Sequence, residues 1–278
     1  MRVSLVMATV GRDRVIGEFL RSLGEQGNPD LELVVVDQNC DDRVTRVLKD
    51  YVGNHRIVHV RAALGLCRAR NVGLRLVSGD IVAFPDDDCL YPPNLLHKVS
   101  SFFDQQAEYA GLLVRATTPD GRDLVRMSRR SGPATSRNVW LRAVSIGLFF
   151  RRTVIENVGG FDESLGVGSG TPWGAGEDLD YPLRALAAGF RLYFDASMVV
   201  WHPHTLERGY NAAAERAFSY GAGFGRVWRK HRFSRWRVAY YLLRPIGGAL
   251  LGLVRGDIGR FRYYLGSCRG RWWGWRHD

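Results

Sequence analysis

Between Val3 and Phe84, apolar runs alternate with helix-periodic segments, and that alternation constrains the fold more than any other feature of the chain. Val3 to Ala8 is a β-rich apolar run that stops at Thr9, Gly11 and Arg12. Val15, Phe19 and Leu23 then recur every four residues, the spacing of a helix with one buried stripe. Gly27-Asn28-Pro29-Asp30 breaks it. Leu31 to Val36 is a second apolar strand, stopped by Asp37, and Val44, Val47, Leu48 and Tyr51 outline a second helix. Ile57 to Val60 predicts a third strand. Cys67 to Val77 predicts a third helix, closed by Ser78-Gly79, and Ile81 to Phe84 a fourth strand. Such an order predicts an α/β protein with a largely parallel sheet and helices on both faces. Right-handed crossovers place the strands' carboxyl ends on one edge. Thr9 to Arg12, Asp37 to Asn39 and Asp86 to Asp88 are therefore expected to converge on one crevice, where open α/β sheets bind ligands.

The fourth strand runs into Pro85-Asp86-Asp87-Asp88. Three adjacent carboxylates repel one another, and the simplest reason for a fold to keep them is to hold a hard divalent cation. A solvated acidic turn is the other reading. No Gly-x-Gly-x-x-Gly follows the first strand and no Gly-x-x-x-x-Gly-Lys-Ser/Thr occurs anywhere, so neither dinucleotide nor P-loop binding is supported.

Beyond the triplet the pattern is less regular. Tyr91-Pro92-Pro93-Asn94 introduces a helix through Phe103, and residues 116–137 read as a polar, basic loop or small hairpin. Val144 to Phe150 predicts a strand, Thr153 to Val158 a short helix, and Gly159 to Glu163 a turn. Five glycines in Gly166 to Gly176 make a segment costly to order, which suits closure over a ligand; an inter-domain linker has the same composition. Glu177-Asp178-Leu179-Asp180-Tyr181-Pro182 opens a helix to Ala188. Proline is tolerated in a first turn, so the start is expected near Asp178 to Tyr181, with Asp178 or Asp180 as a capping residue. Arg191 to Phe194 and Met198 to Trp201 are strand-like and end in His202-Pro203-His204.

Taken in order, six segments carry a resemblance to the family-two glycosyltransferases, inverting enzymes of the GT-A fold. They are Val6-Met7-Ala8-Thr9 with Arg12; Val34-Val35-Val36-Asp37; Gly65 to Gly73; Gly79-Asp80-Ile81-Val82-Ala83-Phe84 with the Asp triplet; Gly159 to Glu163; and Gly176 to Asp180. The resemblance covers roughly residues 3–204. It implies a GT-A type, Rossmann-like sheet that moves one sugar from a nucleotide-sugar donor to a saccharide or lipid-linked saccharide acceptor, in cell-surface polysaccharide synthesis. It implies Thr9 and Asp37 at the nucleotide base, where a carboxylate accepts the imide N–H of a UDP- or dTDP-sugar. Arg12 and Arg70 would border the diphosphate. Asp86 and Asp88 would be the pair that meets the ribose and a Mn²⁺ or Mg²⁺ ion, with Asp87 on the donor side. Asp178 would be the catalytic base with Glu177 as its neighbour. His202 would complete the metal site, with His204 as the competing choice. The Gln-x-x-Arg-Trp of processive members is absent, which favours single addition. A metal-dependent nucleotidyltransferase or phosphatase on a similar sheet is the alternative class.

Charge divides the chain at about residue 204. Residues 205–278 hold 15 Lys and Arg against 4 Asp and Glu, which is the whole net charge of +11, and five of the eight tryptophans. A catalytic body of 1–204 with a basic, aromatic helical extension of 205–278 is the expected organisation. Val238 to Val254 is apolar apart from Arg244 but contains Pro245, Gly247, Gly248 and Gly252, which makes it marginal for a membrane span of about twenty apolar residues. Flanking arginines and tryptophans suit an anionic membrane surface. Single-stranded nucleic acid also fits basic-plus-aromatic composition, but it leaves the acidic segments unexplained, so no nucleic-acid partner is expected. Met1 to Ala8 is too short for a signal-peptide core, and the four cysteines lack disulfide or metal spacing. A cytoplasmic protein, peripheral on the inner face of the cell membrane, is expected.

Overall fold

The computed structural model describes residues 1–27, 30–51, 55–202 and 209–277. The chain divides into two compact units. The first comprises Met1–Leu64, Arg68–Phe161 and Tyr181–Pro203; the second comprises Gly65–Cys67, Asp162–Asp180 and His204–Asp278.

The expected alternation is present in the first unit. Strand β1 (Val3–Thr9) is followed by helix α1 (Arg14–Gly24), β2 (Leu31–Asp37), α2 (Arg43–Lys49) and β3 (Arg56–Arg61). Helix α3 (Leu66–Leu74) and β4 (Ile81–Ala83) complete the series. Strands β3, β2, β1 and β4 are parallel neighbours, with Val3 opposite both Leu31 and Ile81. Val3, Leu5, Val6, Met7 and Val34 to Val36 are wholly buried, which is why β1 and β2 read as continuous apolar runs rather than alternating ones. Gly73 lets α3 lie close on this sheet: a Cβ there would collide with Val6 and stand 3.1 Å from Val36.

The other half of the sheet is mixed. After α4 (Leu95–Gln105) come β5 (Gly111–Thr117), β6 (Gly132–Ala134), β7 (Leu148–Arg151), α5 (Arg152–Val158), α6 (Glu177–Ala187) and β8 (Leu192–Trp201). The full order is β3-β2-β1-β4-β7-β5-β8-β6. Strand β7 is antiparallel to both β4 and β5, β8 is parallel to β5, and β6 closes the edge antiparallel to β8. Several expectations need correction. The polar stretch expected from 116 begins inside β5, and the strand expected from Val144 starts only at Leu148, after a 3₁₀ turn at Ser145–Gly147. The two strand-like stretches expected at Arg191 to Phe194 and Met198 to Trp201 form one ten-residue strand, Leu192–Trp201, whose register against β5 shifts between Val114 and Arg115.

The second unit is helical. It contains α7 (Gly209–Lys230), α8 (Arg235–Val254) and α9 (Ile258–Arg276), so the basic extension is helical as expected. The glycine-rich segment belongs to this unit and is folded into turns. Gly166 N–H donates to the Trp173 carbonyl, Thr171 Oγ1 to the Ser164 carbonyl, and Gly174 N–H to the Ser219 carbonyl of α7. Among the described residues no helix is long and apolar enough to cross a membrane.

Candidate active site

The acidic triplet gathers its surroundings from several strand ends. The parallel register extends past β1 as a bridge between Ala8 and Asp86, which sets the triplet beside Thr9. Thr9 Oγ1 donates to Asp87 Oδ2 at 2.6 Å, and Arg12 Nη1 donates to Asp87 Oδ1 at 2.7 Å. Arg12 also pairs with Asp88, and Arg70 pairs with Asp86 at 3.1 Å. Behind the triplet, Phe84, Phe150, Phe161 and Tyr181 form an aromatic cluster, with the Arg70 guanidinium 5.4 Å from the Phe161 ring centroid.

His202 reaches the triplet through backbone pairing. Leu90, just past the acids, exchanges two hydrogen bonds with Trp201, at 2.8 and 2.9 Å, and His202 N–H donates to the Thr117 carbonyl. The His202 Nε2 atom therefore lies 2.9 Å from Asp88 Oδ1. Asp86, Asp88 and His202 each offer one ligand atom, all within 4.8 Å of one another. Octahedral ligands at about 2.1 Å from a metal lie about 3–4 Å apart, so small side-chain rotations bring this set onto one centre. The set of two carboxylates and an imidazole suits Mn²⁺ or Mg²⁺. His204 lies outside the described residues.

Asp87 and Asp88 differ electrostatically. Burial pushes the Asp87 carboxyl above the usual carboxylate range, against the opposing pull of Thr9 and Arg12. Burial also acts to raise Asp88, but the hydrogen bond and charge of His202, with Arg12, outweigh it and hold that group at about 2. Arg12 is raised despite its own burial, because Asp87 and Asp88 favour its charged form.

Asp37 ends β2 and is wholly buried. Its Oδ1 accepts from Asn39 N–H at 2.9 Å and from Asn39 Nδ2 at 2.7 Å, and His59 Nε2 lies 3.1 Å from Oδ2. Asn39 closes a segment expected at the crevice, whereas His59 has no such signal in the sequence. The signal for Asn39 is an Asp-x-Asn turn; His59 enters only through the β2–β3 register. Arg70, expected at a diphosphate, is wholly buried and stands behind Asp86.

In the second unit, α6 starts at Glu177, so Asp178 and Asp180 lie inside its first turn rather than capping it. The turn closes on Gly176, whose carbonyl accepts from Leu179 and Asp180. Pro182 consequently sits in the second turn, where it supplies no N–H for the Asp178 carbonyl. Glu177 is buried, and Asp178 is half-buried. Asp180 is nearly inaccessible and is held by Lys230 Nζ at 2.9 Å and His231 Nε2 at 2.8 Å.

The family profile for glycosyl transferase family 2 matches residues 4–160, more than half of the chain. The chain belongs to glycosyl transferase family 2. Among curated members it is 27% identical to glycosyltransferase AglE of Haloferax volcanii over 248 residues, covering 85% of this chain and 77% of AglE. It is 28% identical to the pre-mycofactocin glycosyltransferase of Mycobacterium tuberculosis over 63% of this chain, but spans only 38% of that protein. Among solved structures, the mannosyltransferase PcManGT from Pyrobaculum calidifontis, in complex with GDP-Man and Mn²⁺, superposes with a TM-score of 0.69. It is 20% identical, over 98% of this chain and 87% of that one. S. aureus TarS 1-349 in complex with UDP-GlcNAc gives 0.61 at 18% identity, over 97% and 92%. These likenesses establish the GT-A fold for this family-2 glycosyltransferase.

Proposed function

We propose that this family-2 enzyme transfers a single sugar, with inversion, from a nucleotide-sugar donor to a saccharide or lipid-linked saccharide acceptor. The observation that carries the reading is the convergence of Asp86, Asp88 and His202 at the strand ends that also present Thr9 and Asp37. In this reading Asp86, Asp88 and His202 hold Mn²⁺ or Mg²⁺. When bound, the metal supplies Lewis-acid neutralisation of the charge that gathers on the departing nucleoside diphosphate. Thr9, Asp37 and Asp87 line the donor side. Arg12 fixes Asp87 and Asp88, and Arg70 fixes Asp86, so both act first by orienting carboxylates.

Asp178 is the proposed base, accepting the proton of the acceptor hydroxyl as it attacks the anomeric carbon, with Glu177 beside it in the chain. A helix start favours the charged carboxylate, which keeps a base there ionised but makes it a weaker one. The absence of Gln-x-x-Arg-Trp supports one addition per encounter. The basic helical unit supports placement at an anionic membrane surface on the cytoplasmic side, beside a lipid-linked acceptor of cell-surface polysaccharide synthesis.

A panel of UDP-, dTDP- and GDP-sugars, screened with Mn²⁺ for thermal stabilisation, identifies the donor. Acceptor-dependent release of nucleoside diphosphate supports transfer, whereas release of pyrophosphate or phosphate overturns it. Asp88→Ala is expected to lose the metal-dependent stabilisation. Asp178→Asn is expected to keep it and to lose about 10²–10⁴-fold in turnover; robust turnover by that variant would place the base elsewhere.

A further inference from the structure

Helix α8 presents an apolar face to solvent along its whole length. Trp236, Tyr240, Leu243, Ile246, Leu250, Leu253 and Val254 are 41–88% exposed. Their spacing of three and four residues puts them on one side of the helix. The opposite side is the packed one: Val238, Tyr241, Pro245, Ala249 and Gly252 are buried, and a Cβ at Gly252 would press on the backbone of Phe261 in α9. Arg237, Arg244 and the cap residue Arg255 fall on the boundary between the two sides, and α8 contains no acidic residue. An ordinary surface helix places its polar residues where α8 places leucine and tryptophan.

At the amino-terminal end of this face the same unit has an open cavity of about 770 Å³. Among the described residues its lining includes Trp228, which is wholly buried, Trp272 and Trp275, with Arg232, Arg235 and Arg276, and no acid. Arg276 stacks 5.2 Å over Trp272. Indole with arginine, and no carboxylate, is the chemistry of a phosphate-bearing amphiphile: the anion meets the guanidinium forks and its apolar part the rings.

We infer that α8 is an in-plane membrane helix, whose outer face enters the acyl boundary of an anionic bilayer while the arginine–tryptophan cavity receives lipid headgroup phosphate. This rests on the membrane placement proposed above and names the surface responsible. Charge selects the bilayer over a second copy of the chain. An isologous pairing of two α8 faces would set the arginine rows of two like-charged units side by side, whereas anionic headgroups neutralise those rows. Arginines at the face's edge can reach outward to headgroups while their stems stay with the apolar side chains.

The test uses the full chain and flotation with vesicles of phosphatidylcholine alone or mixed with phosphatidylglycerol. Binding is expected to the mixed vesicles and to fall with added salt. Leu243→Asp with Leu250→Asp, at exposed positions, is expected to bind about tenfold or more weakly at unchanged melting temperature and unchanged turnover on a soluble acceptor. Arg232→Gln with Arg235→Gln is expected to lose the preference for phosphatidylglycerol. If the full chain binds neither vesicle, the membrane placement itself fails. If it binds but the leucine pair changes nothing, the assignment to α8 alone is overturned. A dimer in sedimentation that the leucine pair dissolves would give the face to a second copy and overturn the proposal.

Discussion

Asn71 shows how a single side chain can join two distant sequence segments. Its Oδ1 accepts from Phe161 N–H at 2.6 Å, and its Nδ2 donates to the Phe161 carbonyl at 3.0 Å. Gly160 is needed beside it, because a Cβ there would sit 2.6 Å from the amide oxygen. Asn71→Leu leaves two backbone groups without their partner and is expected to cost about 1–3 kcal/mol, read as a lower urea midpoint with unchanged slope. Glu32 does similar work at the other end of β2. It is bonded by Ser4 Oγ, and by Ser78 through N–H at 2.5 Å and Oγ at 2.9 Å. Burial acts to raise its carboxyl, but these bonds, with Arg56, win and hold it below the ordinary value. A depressed folded-state pKa gives stability that is complete above the unfolded pKa of about 4.3 and disappears as pH falls through the lower folded value. Glu32→Gln is therefore expected to flatten the acid limb of a stability-versus-pH curve, with the wild type losing its advantage below about pH 4. The acidic triplet and Arg12 were legible from the sequence because both follow apolar strands. The partners of Asp37 were not, because His59 is set by cross-strand register rather than by spacing along the chain.

At the scale of elements, the parallel half of the sheet could be read in advance because each strand there is a continuous apolar run with its crossover helix beside it in sequence. Strand β5 could not. Its neighbours, β7 and β8, begin only at Leu148 and Leu192, so nothing local announces the pairing that places Gly111 to Thr117 inside the sheet. The α7–α9 pair went unread for a different reason: its signal is small residues rather than apolar ones. Gly266, Gly270 and Gly274 recur every four residues on α9 and pack on Ala217, Phe218 and Ala222 of α7, while Gly221 and Gly225 of α7 meet the backbone of Ser267 and Arg271. A Cβ at Gly270 would strike the Phe218 carbonyl, and one at Gly274 the Ala222 carbonyl, so the two backbones pack directly. Gly270→Leu is expected to force the pair apart at a cost of about 1–3 kcal/mol or more. A lowered melting temperature and faster amide exchange in α7 and α9 would show it; an unchanged melting temperature would mean that the two helices are not so closely packed.

At the scale of the molecule, sequence charge and structural packing draw different boundaries. Charge places the divide near residue 204, but residues 162–180 pack with the basic helices. The helical unit is thus part of the construction of the α6 start, where the proposed base Asp178 lies. Lys230, at the end of α7, makes the join: its Nζ lies 2.7 Å from Asp162 and 2.9 Å from Asp180. Burial acts to raise Asp162, and the hydrogen bond and charge of Lys230, with Ser164, more than offset that. Replacing Lys230 with methionine removes an ion pair from the buried Asp180 and is expected to cost about 1–3 kcal/mol of stability. The distinguishing readout is kinetic. Because Lys230 bonds Asp180 in the turn that carries the proposed base Asp178, Lys230→Met should lower kcat about tenfold or more while the KM for donor stays near wild type. Lys230→Arg, which keeps the charge, should recover much of the loss. A rise in donor KM at constant kcat would instead tie Lys230 to donor binding and separate the α6 turn from the chemical step.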